Sequence, residues 1–534
     1  MFDCESGLST AKAAVMNCHH FLECTSQKFF TLVSKEYFAV HYAILVVVAI
    51  IAVFRRHNNK NDESKKKKKP PLLPRADAGI IETVRELAGD RTPFWMLEQA
   101  RQISSYSYRL PVPGMVVVGD AALAKSILSD VSNEKAIDLL KSFEITLGGT
   151  CMFTQPNELA RRTRKITSRA FSPNLVKSRM TMVCARRSSE WIETVLKPAI
   201  ELDATIDPCR EMLDVAFKIV CEVVFDYDAS REECELFMLH GEVTAVEFGF
   251  KQMMNPLRPI LGKWLAERAK AYESVRWIQS FGLKMLSEHQ HKKQERRSDE
   301  KPTPISVMSL IDDDPRYSSN QEKLPELLLW LFAGHDTVGY SMGTVLYHLA
   351  QNPLEMAKAR SAILRNDQHD NGVDAGNLQE VRNVIRESNR LLPATANISI
   401  RKIGKETKTL DGRFIIPEGT TVFLPQYLPN HDHRLYDEPN DFRPDRWQNA
   451  TAEMIDASMP FSVGPRSCPG LALAKVEMNH ILPVLIRDFD FDVVREGQPK
   501  FFITLKPVGV LLRPKYAKAK SSCLGSALEE EIFD

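Results

Sequence analysis

Residues 461–470 read Phe461-Ser462-Val463-Gly464-Pro465-Arg466-Ser467-Cys468-Pro469-Gly470, and a helical run, Leu471-Ala472-Leu473-Ala474-Lys475, follows at once. One cysteine stands in a turn-rich segment just before a helix. A thiolate presented there meets the positive end of the helix dipole and nearby backbone N–H groups. Gly464 and Gly470 permit tight turns and let the backbone approach something flat. Arg466 is two residues from the sulfur and suits a carboxylate on the same ligand.

Three further patterns precede this loop. A long apolar helix is predicted with Pro325 in its first turn, running to about Asn352 and stopped by Pro353. Inside it lies Ala333-Gly334-His335-Asp336-Thr337, a poor choice on helix propensity. Local rules broken in mid-helix point to a functional site. Glu387-Ser388-Asn389-Arg390 places opposite charges three residues apart on one helix face. Phe442-Arg443-Pro444-Asp445-Arg446-Trp447 lies between that pair and the cysteine loop.

In this order, A-G-x-D-T, E-x-x-R, F-x-P-x-R and F-x-x-G-x-R-x-C-x-G resemble the motifs of the cytochrome P450 family. The resemblance covers about residues 75–513. It implies a mainly α fold with small β-sheets, and Cys468 as the axial ligand of haem b iron. It places Arg466 on a haem propionate, Phe461 beside the sulfur, and Gly464 and Gly470 in the haem-binding loop. Arg401 falls at another propionate position. So does Arg164, the arginine of W-x-x-x-R, although Ala160 stands where the family has tryptophan. Ala333 and Gly334 would thin the helix for dioxygen, Thr337 would hydrogen-bond the oxygen, and Asp336 would relay protons. His335 reads as a polar neighbour, since a second strong axial ligand would block oxygen. Glu387, Arg390 and Arg446 are implied as a buried structural cluster.

The N-terminal part reads separately. Residues 1–36 are mixed. Tyr37 to Phe54 contains no charge and spans about 27 Å as a helix, enough for a thin bilayer. A basic, proline-bearing linker occupies residues 55–74, with Lys65 to Lys69 at its centre. The excess of positive charge after residue 54 predicts a single-pass anchor with the catalytic body, residues 75–513, in the cytosol. The polylysine block would touch anionic membrane lipid. By resemblance this is the arrangement of microsomal members in the endoplasmic reticulum. Residues 514–534 read as a disordered tail.

Local signals fill in the body. Tyr106–Leu110 and Met115–Val118 predict a hairpin, and Asp120 an N-cap for residues 121–128. Residues 158–171 predict a basic helix, and residues 181–290 mostly helix. Asp411 to Thr420 is hairpin and turn chemistry. Leu471 to Arg487 is helical, with Pro483 as a kink or early stop. Phe501 to Leu505 reads as a strand leading into a turn.

The 534 residues carry a net charge of +1, which selects neither nucleic acid nor acidic partners. The ten cysteines (4, 18, 24, 151, 184, 209, 221, 234, 468 and 523) show no C-x-x-C spacing, which fits a reducing compartment. The resemblance implies monooxygenation of a lipophilic substrate with electrons from NADPH through cytochrome P450 reductase, with cytochrome b5 as a second donor. Residues Leu391, Ala394, Thr395, Ala396 and Asn397 suggest an apolar, roomy pocket. Two alternatives stay open: a peroxide-rearranging haem-thiolate isomerase or lyase that needs no reductase, and a haem-binding sensor without turnover.

Overall fold

The computed structural model describes residues 71–252, 258–262, 265–295, 305–369, 375–397 and 399–517. The predicted membrane segment, 37–54, lies outside them, as do residues 1–36 and nearly all of the basic linker. No helix among the described residues is long and apolar enough to cross a membrane.

The body is mainly helical with small sheets. The predicted hairpin is present as β1 (Ser107–Arg109) and β2 (Met115–Val118). Asp120 caps α1 (Ala121–Ser129) by accepting from the Leu123 N–H at 2.9 Å. The basic segment forms α2 (Asn157–Thr167) and a short 3-10 turn. A five-stranded sheet runs β1-β2-β7-β4-β3, with β3 at Glu134–Lys135, β4 at Ile400–Lys402 and β7 at Thr421–Phe423. Its edge register sets Lys135 opposite Arg401. The 411–420 turn joins β5 (Thr407–Lys408) and β6 (Ile415–Ile416) to β7.

Two long helices, α3 (Pro208–Phe225) and α6 (Asn320–Gln351), form the centre, with α4 (Arg231–Thr244) and α5 (Ala266–Glu295) beside them. Glycines on α6 bring it against α3 backbone to backbone. A Cβ on Gly343 would lie 2.5 Å from the Cys209 Cα and 2.8 Å from the Pro208 carbonyl oxygen, and one on Gly339 would lie 2.9 Å from the Leu213 Cα. Gly343→Ala must therefore push the helices apart, and it should cost about 1–3 kcal/mol. A lower midpoint in urea unfolding, followed by far-UV circular dichroism, checks this.

Five sequence expectations change. Helix α6 starts at Asn320, before Pro325. Ser319 accepts from the Glu322 N–H, and Glu322 accepts from Ser318, so a capped N-terminus places the proline inside the helix. The 501–505 run is not one strand. β9 (Gln498–Phe502) and β10 (Thr504–Val508) pair across Ile503, whose φ is +60°. At the C-terminal end, β11 (Leu511–Tyr516) pairs with β8 (Phe489–Arg495), so the body continues past residue 513 into the assigned tail. At its other end it begins earlier than residue 75, because Leu72 bridges to Ile415 and Leu73 is buried. Helix α8 (Leu471–Asp488) runs through Pro483 without stopping.

Behind the site, α7 (Gln379–Leu391) carries Glu387 and Arg390, both 0% exposed. Arg390 donates from Nε and Nη2 to the two Glu387 oxygens at 2.9 Å each, and Arg446 Nε donates to Oε1 at 2.9 Å. Trp447 Nε1 adds a fourth donor at 2.8 Å and the Arg443 backbone N–H a fifth at 3.0 Å.

Candidate haem-thiolate site

The cysteine loop is built on left-handed residues. Ser462 has φ +56° and Gly464 has φ +75°. At Gly464 a Cβ would lie 2.3 Å from the Leu128 carbonyl oxygen, so the loop presses directly on the end of α1. Gly470 differs: its φ is −86°, and an added Cβ would meet only the Cys468 sulfur, at 3.8 Å. That is an ordinary van der Waals distance, so the geometry here does not demand a glycine. The Cys468 N–H donates to the Phe461 carbonyl at 2.8 Å, which closes the loop. Phe461 itself packs against the main core.

Among the described cysteines, 151, 184, 209, 221 and 234 are buried, and Cys468 is exposed. Burial pushes its thiol up, while the Gly470 and Leu471 N–H groups at the start of α8 and the Arg164 guanidinium oppose that. The expected meeting of sulfur and helix N-terminus is therefore present.

Four cations gather beside the loop. Arg466 donates to the carbonyls of Met152 at 2.8 Å and Gln155 at 3.2 Å. Burial and the neighbouring Arg164 hold it down at about 10. Arg401, on β4, is 2% exposed, and burial together with Arg466 also holds it at about 10. Arg164, in the last turn of α2, is lowered by burial, with the Cys468 thiolate acting the other way. The fourth is Lys135, on β3 opposite Arg401, with Nζ 3.6 Å from the centre of the Phe153 ring. Burial, then Arg466 and Arg401, hold it well below the lysine range.

Among the described residues none of the four makes an ion pair. Glu134, a carboxylate that acts on Arg401 and Arg466, accepts from the Asn157 N–H at 2.7 Å. Crowded, desolvated cations with no ion-paired carboxylate among the described residues call for an anionic ligand. Ala160, at the family's tryptophan position, is fully buried in the core. Lys135 is the cation that residue-by-residue reading missed.

On α6, residues 333 and 337 share a face. Ala333 is exposed, and the Thr337 hydroxyl donates to the Ala333 carbonyl at 3.0 Å. Gly334 does not share this face. Its missing side chain points at Val220 of α3, 3.0 Å from an added Cβ. It thins the helix toward α3, and the expected opening rests on Ala333 alone. His335 is buried, its Nδ1 donating to the Leu331 carbonyl at 2.7 Å and its ring edge-on to Phe217. It is packed away as a core residue. Asp336 is half-buried, one turn before Tyr340, whose hydroxyl accepts from Lys506 of β10. In the 391–397 segment, Ala396 is core rather than lining. The Ala394 carbonyl accepts from the Leu505 N–H at 2.9 Å, which ties that segment to β10.

An exposed cysteine beside four cations that make no ion pair among the described residues fits a flat metal chelate with two carboxylates, the shape and charge of haem. The comparisons agree. The cytochrome P450 family model matches residues 99–521, and this chain belongs to that family. It is similar to cytochrome P450 3A40 of Oryzias latipes, 27% identical over 44% of this chain and 49% of that protein. It is 25% identical to cytochrome P450 3A56 of Fundulus heteroclitus, over 66% of this chain and 73% of that protein. With cytochrome P450 6a8 of Drosophila melanogaster the figures are 26%, 56% and 62%. The chain spans about half the length of the first of these relatives.

Proposed function

We propose that the chain is a haem-thiolate monooxygenase that inserts one oxygen atom from O2 into a lipophilic substrate, using electrons from NADPH through a flavoprotein reductase. The observation that carries this reading is the exposed residue Cys468 at the start of α8, met by the Gly470 and Leu471 N–H groups and flanked by Arg164. Cys468 would ligate the iron, and Arg164, Arg401, Arg466 and Lys135 would meet the carboxylates. When bound, haem supplies the oxygen and electron chemistry, with thiolate donation favouring O–O cleavage. The chain's own tasks are orientation, exclusion of water and proton supply. Asp336, half-buried on α6, would bring protons from solvent, and Thr337 would receive them beside Ala333.

Arg161, Arg162 and Lys165 are exposed on α2, while Arg164 of the same helix is partly buried. The outer three form a basic face suited to an acidic flavoprotein or cytochrome b5. Residues 37–54 would anchor the chain in the endoplasmic reticulum membrane, body in the cytosol, with the lysine block on anionic lipid.

The test is the Soret band of the reduced protein under carbon monoxide. A thiolate-type band supports the reading, and an imidazole-type band in fresh material refutes it. NADPH consumption with reductase then separates monooxygenation from peroxide rearrangement. Thr337→Ala should lower product formed per NADPH roughly tenfold while reductant use continues. Full coupling in that variant would remove the proton role.

A further inference from the structure

Glu326 lies on α6 directly after Pro325 and is 0% exposed. Its Oε1 accepts from the Met152 N–H at 2.8 Å, and its Oε2 is buried without a partner. Met152 is also the residue whose carbonyl accepts from Arg466 at 2.8 Å. The next residue, Phe153, lies under Lys135. The 152–155 turn thus carries two of the four cations, and Glu326 holds that turn from behind.

We infer that Glu326 is a positioning residue for the anion-binding cations, and that binding of the dianionic haem is coupled to the proton on its carboxyl. The inference rests on the reading that these cations meet haem carboxylates. The charged and titratable groups facing Glu326 are the Cys151 thiol, the Tyr317 phenol, Arg316 and Arg466. Arg316 is engaged by Asp314, at 2.9 Å from Nε to Oδ2. Burial pushes the Glu326 carboxyl up to about 8, against the Met152 N–H, Arg316 and Arg466.

The sign follows from the neighbours. Of the four cations, Arg466 helps Glu326 to ionise. Once a haem carboxylate neutralises it, that help is lost and the carboxyl holds its proton to higher pH. Haem binding therefore takes up a proton where the haem-free form has lost one, above about pH 8. Affinity attributable to Glu326 is constant below that pH and falls above it, by at most about tenfold per pH unit for one proton.

The experiment is the equilibrium partition of haem between the purified holoenzyme and apomyoglobin from pH 7 to pH 9.5, read by absorbance. Wild type, Glu326→Gln and Glu326→Leu are compared. Glutamine keeps an acceptor for Met152 but cannot titrate. Effects of the Cys468 thiol are common to both and cancel in the ratio. The expected result is equal retention for wild type and Glu326→Gln at pH 7, with wild type falling behind roughly five- to tenfold by pH 9.5. Glu326→Leu should retain haem poorly at every pH. A wild-type to Glu326→Gln ratio independent of pH overturns the coupling, even if Glu326→Leu fails to fold. Wild-type retention in Glu326→Leu overturns the positioning role. Wild-type protein that takes up no haem at all refutes the underlying site instead.

Discussion

Cys468→His is expected to keep haem yet shift the Soret band of the reduced, carbon-monoxide-treated protein to the imidazole type. Oxygen insertion should fall about 10³-fold, on the order of 4 kcal/mol in barrier. The argument is one of access. Five of the described cysteines are buried and cannot reach a ligand, whereas Cys468 is exposed. The N–H groups of Gly470 and Leu471 and the charge of Arg164 favour its anion. Histidine offers a neutral nitrogen in their place, so both the electron donation and its spectral signature go. Cys184→Ala is the control. It removes a buried thiol between other core residues, and the band should stay where it is whatever stability is lost. A thiolate-type band surviving in Cys468→His would show that another sulfur serves.

The second large effect belongs to Glu387→Ala. This carboxylate accepts from Arg390, Arg446, Trp447 and the Arg443 backbone, and neither it nor Arg390 is exposed. Removing it strands the Arg390 charge in the interior, at a cost of roughly 3–5 kcal/mol. Whole-domain stabilities are about 5–15 kcal/mol, so little folded protein should accumulate. Yield of haem-bound protein and the urea midpoint are the measurements. Burial raises the Glu387 carboxyl, but the Arg390 hydrogen bonds and charge outweigh it and the net shift is downward. Its contribution is thus complete above the ordinary glutamate range and is lost as pH falls through the lowered value. The gap between wild type and Glu387→Gln should narrow on acidification. A gap that widens would place the stabilisation elsewhere.

Local chemistry made much of this legible. The cysteine loop, the Asp120 cap and the Glu387 cluster are short-range patterns whose residues identify themselves. Lys135 is not of that kind. In Asn133-Glu134-Lys135 it reads as one of a pair of surface charges, and only the β3–β4 register sets it opposite Arg401. Glu326 is hidden for the same reason, because its partner Met152 is distant in sequence. The motif marks Gly334, yet a helix has several faces, and the α3 packing shows which one it occupies. The start of α6 is readable: Ser319-Asn320-Gln321-Glu322 is a capping pattern, and it outweighs the preference of a proline for the first turn. Ile503 resists any such reading, since a β-branched residue is a poor candidate for positive φ.

The bond between Thr337 and the Ala333 carbonyl has a consequence of direction. A hydroxyl owns one hydrogen, and this one already faces backward along the helix. What the side chain shows to the front is a pair of electron lobes. It can catch but cannot throw until its grip on the helix is released. Under the proposed relay, each release of hydrogen from this position would begin with a rotation about one side-chain bond.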